Sequence, residues 1–391
     1  MTYFIGLDLA KYKHDCFIMD QNGEVIKDSF SFTNDSNGFN TLLNALNNLD
    51  PNQEKRIGLE ATGHYGSNIK IFLEKNGYSF MEFNPILISR FSKATTLRRT
   101  KTDKIDARLI ASFLCTVSYK PYPIKSYHLR NLKSLCRSRD TLIKQRSLYL
   151  VKITNVLDLI FPEFKPFFNK SLKSVTAIYL LENYGTPSKI SRMTRESYSK
   201  MSSKLRSTIS YAKFLALKEL AKNTVGNEDP ILTYELNMYL DLFKELDSKI
   251  KDIESKISDE YKTMNSHIDS IPGISLISAA GIYSEIGSIS KFNNADQLVA
   301  FAGLDCSRYQ SGESDSTGHM VKHGSSYLRQ YIMNVAGTSL IHNPVLYEYY
   351  LSKRNSGKAH RVALSHVAKR LIRIIFSLEK NNVDFDISKM S

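Results

Sequence analysis

"TYFIGLDLAKYKHDCFIMDQNGEVIKDSFSF", residues 2–32, is the stretch whose reading decides the fold. Its runs TYFIGLDLA and HDCFIMD read as strands, QNGE at Gln21 to Glu24 reads as a hairpin turn, and VIKDSFSF supplies a third strand. The result is an antiparallel meander. Beyond it, Phe39, Leu42, Leu43 and Leu46 recur at helical spacing over residues 36–48, behind a cap at Asp35 or Ser36. KRIGLEA is then a fourth strand, residues 66–75 a helix, YSFMEF a fifth strand, and Pro85 opens more helix. A meander followed by α/β crossovers predicts a mixed five-stranded sheet flanked by helices, which is the connectivity of the ribonuclease H-like fold.

The chain has 391 residues, enough for two or three units that each bury a core. Its 53 Lys and Arg outnumber 39 Asp and Glu, a formal charge of +14. Such an excess points to a polyanion partner, because each phosphate neutralised by Lys or Arg releases condensed counterions. No apolar run approaches the ~18 residues of a spanning helix, and no signal peptide precedes the first strand, so a soluble cytoplasmic protein is expected. Cys16, Cys115, Cys136 and Cys306 show no metal-ligand spacing, which argues against a disulfide framework or zinc site.

Pro121 and Pro123 in SYKPYPIKS break the α/β pattern. The expected domains are residues 1–122, a helical and coiled-coil region at 123–262, and a mainly helical C-terminal domain at 263–391. A long basic helix is predicted from about 126 to 160, and short helices over 163–228. Leu232, Leu236, Tyr239, Phe243, Leu246, Ile250, Ile253 and Ile257 step alternately by four and three, a heptad seam. Its partner is either the helix at 126–160 or the same helix of another subunit. SIPGISLISAAGIYSEIG has the shape of a helix-hairpin-helix, two helical segments joined at Pro272-Gly273, whose exposed N–H groups can meet phosphates.

LRRTKTDKIDARLIAS, residues 97–112, sets Asp103 and Asp106 among Arg98, Arg99, Lys101, Lys104 and Arg108. Taken alone, the two acids resemble a capping box, with Arg99 able to pair with Asp103. Two further acids shift the reading. Asp8 follows the apolar run of the first strand and Glu60 ends the fourth. In the predicted sheet these strands are parallel neighbours, so their carboxyl ends share the edge where open α/β sheets hold ligands. A helix starting near 102 and crossing that edge would bring Asp103 and Asp106 to the same point. Four such anions raise one another's pKa unless a cation separates them, and two Mg2+ ions roughly 4 Å apart would do so. The surrounding cations then face the phosphodiester backbone.

IGLDLAKYKHD, GLEATGHYG, RRTKTDKIDARLIA, IPGISLISAAGIYSEIG, FAGLDCSRYQSGES and HGSSYLRQYI together resemble, in order, the blocks of the DEDD transposases of bacterial insertion sequences, bridge-RNA-guided recombinases. The resemblance implies a RuvC-like N-terminal domain whose metal ligands are Asp8, Glu60, Asp103 and Asp106. The middle of the chain matches only as a helical region.

RYQSGESDSTGHMVKHGSSYLRQY, residues 308–331, reads as a polar loop before an apolar helix that starts near 325. A serine there needs a base or metal, and cations to stabilise a phosphorane; Lys322, His323 and Arg329 are at hand. The resemblance implies that Ser311, in its Ser-Gly pair, is the nucleophile, with Ser314 and Ser316 in reserve; Tyr309 beside it would make a different enzyme class. It further implies a DNA recombinase that uses Mg2+ and a guide RNA and acts as a homo-oligomer, dimer or tetramer, with the serine domain of one subunit meeting the carboxylates of another. The alternatives are a metal-dependent junction resolvase or nuclease that uses water, and a non-catalytic nucleic-acid-binding scaffold. The last helix, from about 359, carries Arg361, Lys369, Arg370 and Arg373 on one face, either a solvated face or part of a nucleic-acid track.

Overall fold

The structure is a computed structural model. It describes residues 2–390 apart from 62, 64, 96–102, 122–126, 170, 171, 173, 206–208, 312 and 313, and gives the backbone alone for 103–105, 127, 128, 307–311, 314–319 and 390. Contacts divide the chain into two compact units: Met1–Asn131 with Gly287–Asn293, and Leu132–Ile286 with Asn294–Ser391.

In the first unit, strands β1 (Thr2–Leu9), β2 (Lys13–Asp20) and β3 (Val25–Thr33) form the meander, and β4 (Glu54–Glu60) and β5 (Phe80–Phe83) extend it. The sheet order is β3-β2-β1-β4-β5. β1 is antiparallel to β2 and parallel to β4, and β5 is parallel to β4, so the predicted mixed five-stranded sheet is present. Gly23, at φ +86°, makes the β2–β3 turn. Helix α1 (Ser36–Asn47) is capped by Asp35, whose side chain accepts from the Gly38 N–H.

Period-2 alternation splits the strand side chains between two cores. Ile5, Leu7, Ile18, Ile57 and Leu59 are buried with Leu42 and Leu46 of α1 and with Ile69 and Leu73 of α2 (Ser67–Lys75). On the other face, Phe4, Phe17, Met19 and Phe83 are buried with Ile88 of α3 (Pro85–Thr95) and with Ala107, Ile110, Ala111 and Leu114 of α4 (Asp103–Thr116). α4 lies almost against the strand backbone: a Cβ at Gly6 would stand 2.1 Å from the Ala107 carbonyl oxygen and 2.6 Å from the Ala111 nitrogen.

The second unit is helical. α5 (Tyr127–Ile160), which begins in the first unit, runs antiparallel to α11 (Pro230–Lys262): Arg139 pairs with Glu254 at 2.6 Å, and Arg146, farther along, with the earlier Asp247. The heptad seam thus has an intrachain partner. Leu236, Ile250 and Ile257 of the seam are buried, as are Leu240 and Tyr261 beside it. Between the arms stand α6 (Phe164–Phe167), α7 (Val175–Asn183), α8 (Pro187–Ser191), α9 (Arg195–Lys204) and α10 (Tyr211–Lys222). These five share one apolar cluster with the ends of both arms, centred on Phe161, Phe164, Phe214 and Leu236.

After α11 come α12 (Leu276–Ile286), α13 (Ala295–Phe301), strands β6 (Cys306–Ser311) and β7 (Ser314–Met320), and helices α14 (Ser326–His342), α15 (Pro344–Asn355) and α16 (His360–Asn381). Two expectations change here. The expected helix-hairpin-helix has only a single 3-10 turn, Ile268–Ser270, ahead of Pro272. Gly273, at φ +90°, is required because α14 passes it: a Cβ there would be 2.7 Å from the Ser339 Cα, and Thr338 Oγ1 donates to the Gly273 carbonyl. The Pro-Gly turn therefore packs against protein. The polar stretch from 308, expected as a loop, is instead an antiparallel hairpin. Among the described residues, no helix is long and apolar enough to cross a membrane.

Gly6→Ala should lower stability by about 3 kcal/mol or more, because backbone atoms and not a mobile side chain must yield. Gly23→Ala, which meets nothing within 4 Å and strains only a positive φ, should cost about 1 kcal/mol. Urea unfolding of the two variants checks this, and equal losses would show that α4 is not seated on Gly6.

Candidate active site

β1 and β4 run in register with Gly6 beside Gly58 and Leu7 beside Leu59. Asp8 and Glu60 each follow by one residue, so they lie level at the carboxyl ends of adjacent parallel strands. The alternation also fixes their face. A Cβ at Gly6 would meet α4 backbone and one at Gly58 would meet Phe83, Leu114 and Ile110, so positions 6 and 58 face α4. Asp8 and Glu60, two residues on, share that side of the sheet.

The helix runs the required way. Past its C-terminus, the Tyr119 hydroxyl donates to the Ser79 carbonyl at 3.1 Å, just before β5, and accepts from the Ile57 N–H at 3.4 Å, midway along β4. α4 therefore descends from the carboxyl edge of the strands, and its first turn, with Asp103 and Asp106, is at the Asp8–Glu60 end. Ala107, one position past Asp106 and one turn past Asp103, is the residue pressed on Gly6.

A further carboxylate escaped the sequence reading. Asp15 of β2 pairs directly with Asp8, is 3% exposed, and accepts from Ser31 Oγ at 2.6 Å. Like charges opposite each other weaken an antiparallel pair. The signal was present in HDCFIMD, where Asp15 alternates with Phe17 and Met19, the two residues that face α4. The donors on this edge are oxygen atoms, the set that a hard divalent cation takes. Among the described residues, no three His, Cys, Asp or Glu side chains are gathered closely enough to hold an ion, and the Asp103 side chain lies outside those residues.

Of the expected nucleic-acid contacts in the first unit, Arg98, Arg99 and Lys101 lie outside the described residues, as does the Lys104 side chain. Arg108 is exposed, its guanidinium 5.5 Å from the Phe17 ring centre.

In the second unit, Ser311 ends β6 and pairs with Ser314; Tyr309 pairs with Ser316. Their side chains lie outside the described residues, but the base of the hairpin is well defined. The Val321 N–H donates to the Asp305 carbonyl and the Ser325 N–H to the Phe301 carbonyl, each at 2.9 Å. Arg329 Nη1 donates to the carbonyls of Ala302 (3.2 Å) and Lys322 (3.3 Å). Gly303 and Gly324 allow this closure: a Cβ on either would stand within 2.4 Å of Arg329 Nη1 or of the Phe301 oxygen, respectively. Arg329 thus ties the two ends of the hairpin segment together. Lys322 is exposed, at φ +55°.

Glu285 of α12 braces the helix that follows. Its buried carboxylate accepts from Arg137 Nε at 2.7 Å and from Ser325 Oγ at 2.9 Å, and lies 3.3 Å from Lys133 Nζ. Ser325 in turn caps α14, accepting from the Leu328 N–H. Burial alone would raise the Glu285 pKa, but Arg137, Lys133 and Ser325 outweigh it and hold the carboxyl below its ordinary value.

Comparison with known proteins fits both halves. A family model described as a transposase, of the DEDD and IS110 type, matches residues 5–162, which include all four predicted acids. A second, described as the transposase IS116/IS110/IS902 family, matches residues 265–351, which include Ser311, Lys322 and Arg329. The chain is 24% identical to the "Insertion element IS116 uncharacterized 44.8 kDa protein" of Streptomyces clavuligerus over 96% of this chain and 94% of that one. It is 23% identical to the "Mini-circle putative transposase for IS117" of Streptomyces coelicolor over 99% and 96%. A "Pilin gene-inverting protein" of Moraxella bovis is 29% identical over 37% of this chain and 45% of its own length. The class so defined is that of the transposases, enzymes that cleave and join DNA. With the two models spanning more than half of its length, the chain belongs to the DEDD transposase family of IS110 and IS116, whose name implies use of a divalent metal.

Glu285→Ala should cost about 2 to 4 kcal/mol, less than a fully buried pair would because Arg137 is 44% exposed. Since the folded-state pKa of Glu285 is depressed, its contribution is present above the ordinary carboxylate value and is lost as pH falls through the folded one. Unfolding free energies from neutral to acid pH should therefore converge for wild type and Glu285→Gln; a constant difference would refute the charge-based brace.

Proposed function

We propose that the protein is an insertion-sequence transposase in which a serine attacks DNA with divalent-metal assistance. The first domain is read as ribonuclease H-like, of the RuvC kind; the sheet order and the family name support this. Asp8, Glu60, Asp103 and Asp106 are the metal ligands, and the metal is Mg2+. The observation that carries this reading is the meeting of the ends of β1 and β4 with the first turn of α4 on one side of the sheet. A divalent ion held there by those carboxylates would neutralise negative charge on the phosphate oxygens.

Ser311 supplies the nucleophile. Its Oγ forms a bond to phosphorus as the bond to one deoxyribose oxygen breaks, and that oxygen leaves with a proton. The serine proton passes to a base. The phosphoserine ester retains the energy of the broken linkage, so a second sugar hydroxyl can reverse the step and join a new strand without ATP. Lys322, with Arg98, Arg99, Lys101, Lys104, Arg108 and Arg329, is assigned to the DNA backbone. A relative named for gene inversion and others named for transposition fit a chemistry in which cutting and rejoining are coupled.

A guide RNA that pairs with target and donor DNA is assigned the reading of sequence, and the working form is a homo-oligomer, dimer or tetramer, in the cytoplasm. The domains 1–122, 123–262 and 263–391 are taken as the metal, helical and serine parts. Asp8→Ala should abolish strand cleavage in Mg2+ and leave the melting midpoint near that of the wild type. A covalent protein–DNA adduct should map by mass spectrometry to Ser311 and vanish in Ser311→Ala. An adduct on Tyr309 would reassign the nucleophile, and Mg2+-dependent cleavage with no adduct would make the enzyme a hydrolytic nuclease.

A further inference from the structure

The pair α15 and α16 carries an unusual charge. From Pro344 to Arg373 the chain has seven Lys and Arg against one carboxylate, Glu348. Among the described residues, no carboxylate pairs with Lys353, Arg354, Lys358, Arg361 or Lys369. Their contacts are of other kinds. Lys353 Nζ lies 5.0 Å from the centre of the Tyr349 ring, with the Arg370 guanidinium of the neighbouring helix 4.9 Å from the same centre. Arg354 Nη1 donates to the Lys358 carbonyl at 2.8 Å, and Lys358 and Arg361 are exposed.

Lys353, Lys358 and Lys369 share one side of the helix pair, around His366. The His366 pKa is depressed by burial and then by Lys369, Lys353 and Lys358, which all act on that one imidazole. Tyr350 at the end of α15 bonds His360 at the start of α16, with 2.7 Å between Oη and Nδ1, and so fixes the turn. Cations held close without counter-ions repel one another, a cost that a polyanion removes. The surface also has a defined neighbour. Lys369 Nζ donates to Cys306 Sγ at 3.5 Å, and Cys306 is the first residue of β6, the strand that ends at Ser311. α16 lies beyond both matched family segments.

We propose that the α15–α16 surface binds the phosphodiester backbone of DNA, through Lys353, Lys358, Arg361 and Lys369, as that DNA approaches the β6–β7 hairpin. The choice of DNA rests on the reading of Ser311 as the nucleophile. Contacts of this type position a duplex and carry no sequence information.

The test is binding of the full chain, freed of nucleic acid, to a short labelled DNA duplex of arbitrary sequence across a salt series. Each phosphate contact contributes about 0.9 to the slope of log K against log salt. The variant K353Q/K358Q/R361Q/K369Q should lose about 3.6 units of that slope and bind on the order of 1,000-fold more weakly at ~0.1 M salt. K358E/R361E changes only two exposed side chains, so it should keep the wild-type melting midpoint and still lose about two units. Unchanged slope and affinity in K358E/R361E would overturn the proposal, as would weakened binding of an RNA duplex with DNA binding intact. The serine reading fails separately: Ser311→Ala should bind with the full slope, and absence of a Ser311 adduct alongside a reduced slope in the quadruple variant would strike the nucleophile and leave this DNA surface standing.

Discussion

The contact between α4 and the bare backbone of β1 at Gly6 is the constraint on which the first unit depends. Any side chain at position 6 would have to occupy space already held by the Ala107 carbonyl. With glycine there, and a second glycine beside it on β4, the helix lies close to the strands and its stripe of Ala107, Ile110, Ala111 and Leu114 fills the space between them. That seating also determines where the helix begins. The phase that puts Ala107 on Gly6 puts Asp106 and Asp103 at the strand ends, so packing and placement of the acids are one choice.

The same edge is electrostatically costly. Asp8 faces Asp15 across one ladder and ends level with Glu60 across the other, in a chain whose overall charge is strongly positive. Folding alone gives no reason to gather acids where the sheet is otherwise apolar. Ser31 satisfies part of the requirement by donating to Asp15. The protein treats charge differently in its helical unit, where buried Glu285 is matched at once by Arg137, Lys133 and a helix-capping serine.

The sheet was legible because its strands are apolar and alternate, and because the Asn22-Gly23 turn fixes the β2–β3 hairpin. Asp8 and Glu60 were legible as acids ending apolar strands, whereas Asp15 sits inside a strand, where an acid signals nothing by itself. β6 and β7 were invisible for a complementary reason. CSRYQS and SDSTGHM have almost no apolar residues, so no period-2 pattern distinguishes them from a loop. Pro272-Gly273 misled because two demands produce the same dipeptide: exposing N–H groups to phosphate, and letting another helix pass close to the backbone. Only the position of Ser339 separates them. The heptad seam gave its helix correctly but not its partner, since a period states that a face is covered and not by what.

The composition of the first unit has a consequence for how the chain is made. Its sheet and helices are complete by Asn131, yet the strip Gly287–Asn293 belongs to it, with Lys120 bonding Asn293 at 2.8 Å. On the ribosome, everything between Asn131 and Gly287 must emerge before that strip exists, a delay of about ten seconds or more at usual elongation rates. During this interval the acid-lined edge of the nascent chain exists before the β6–β7 hairpin, which is translated later still.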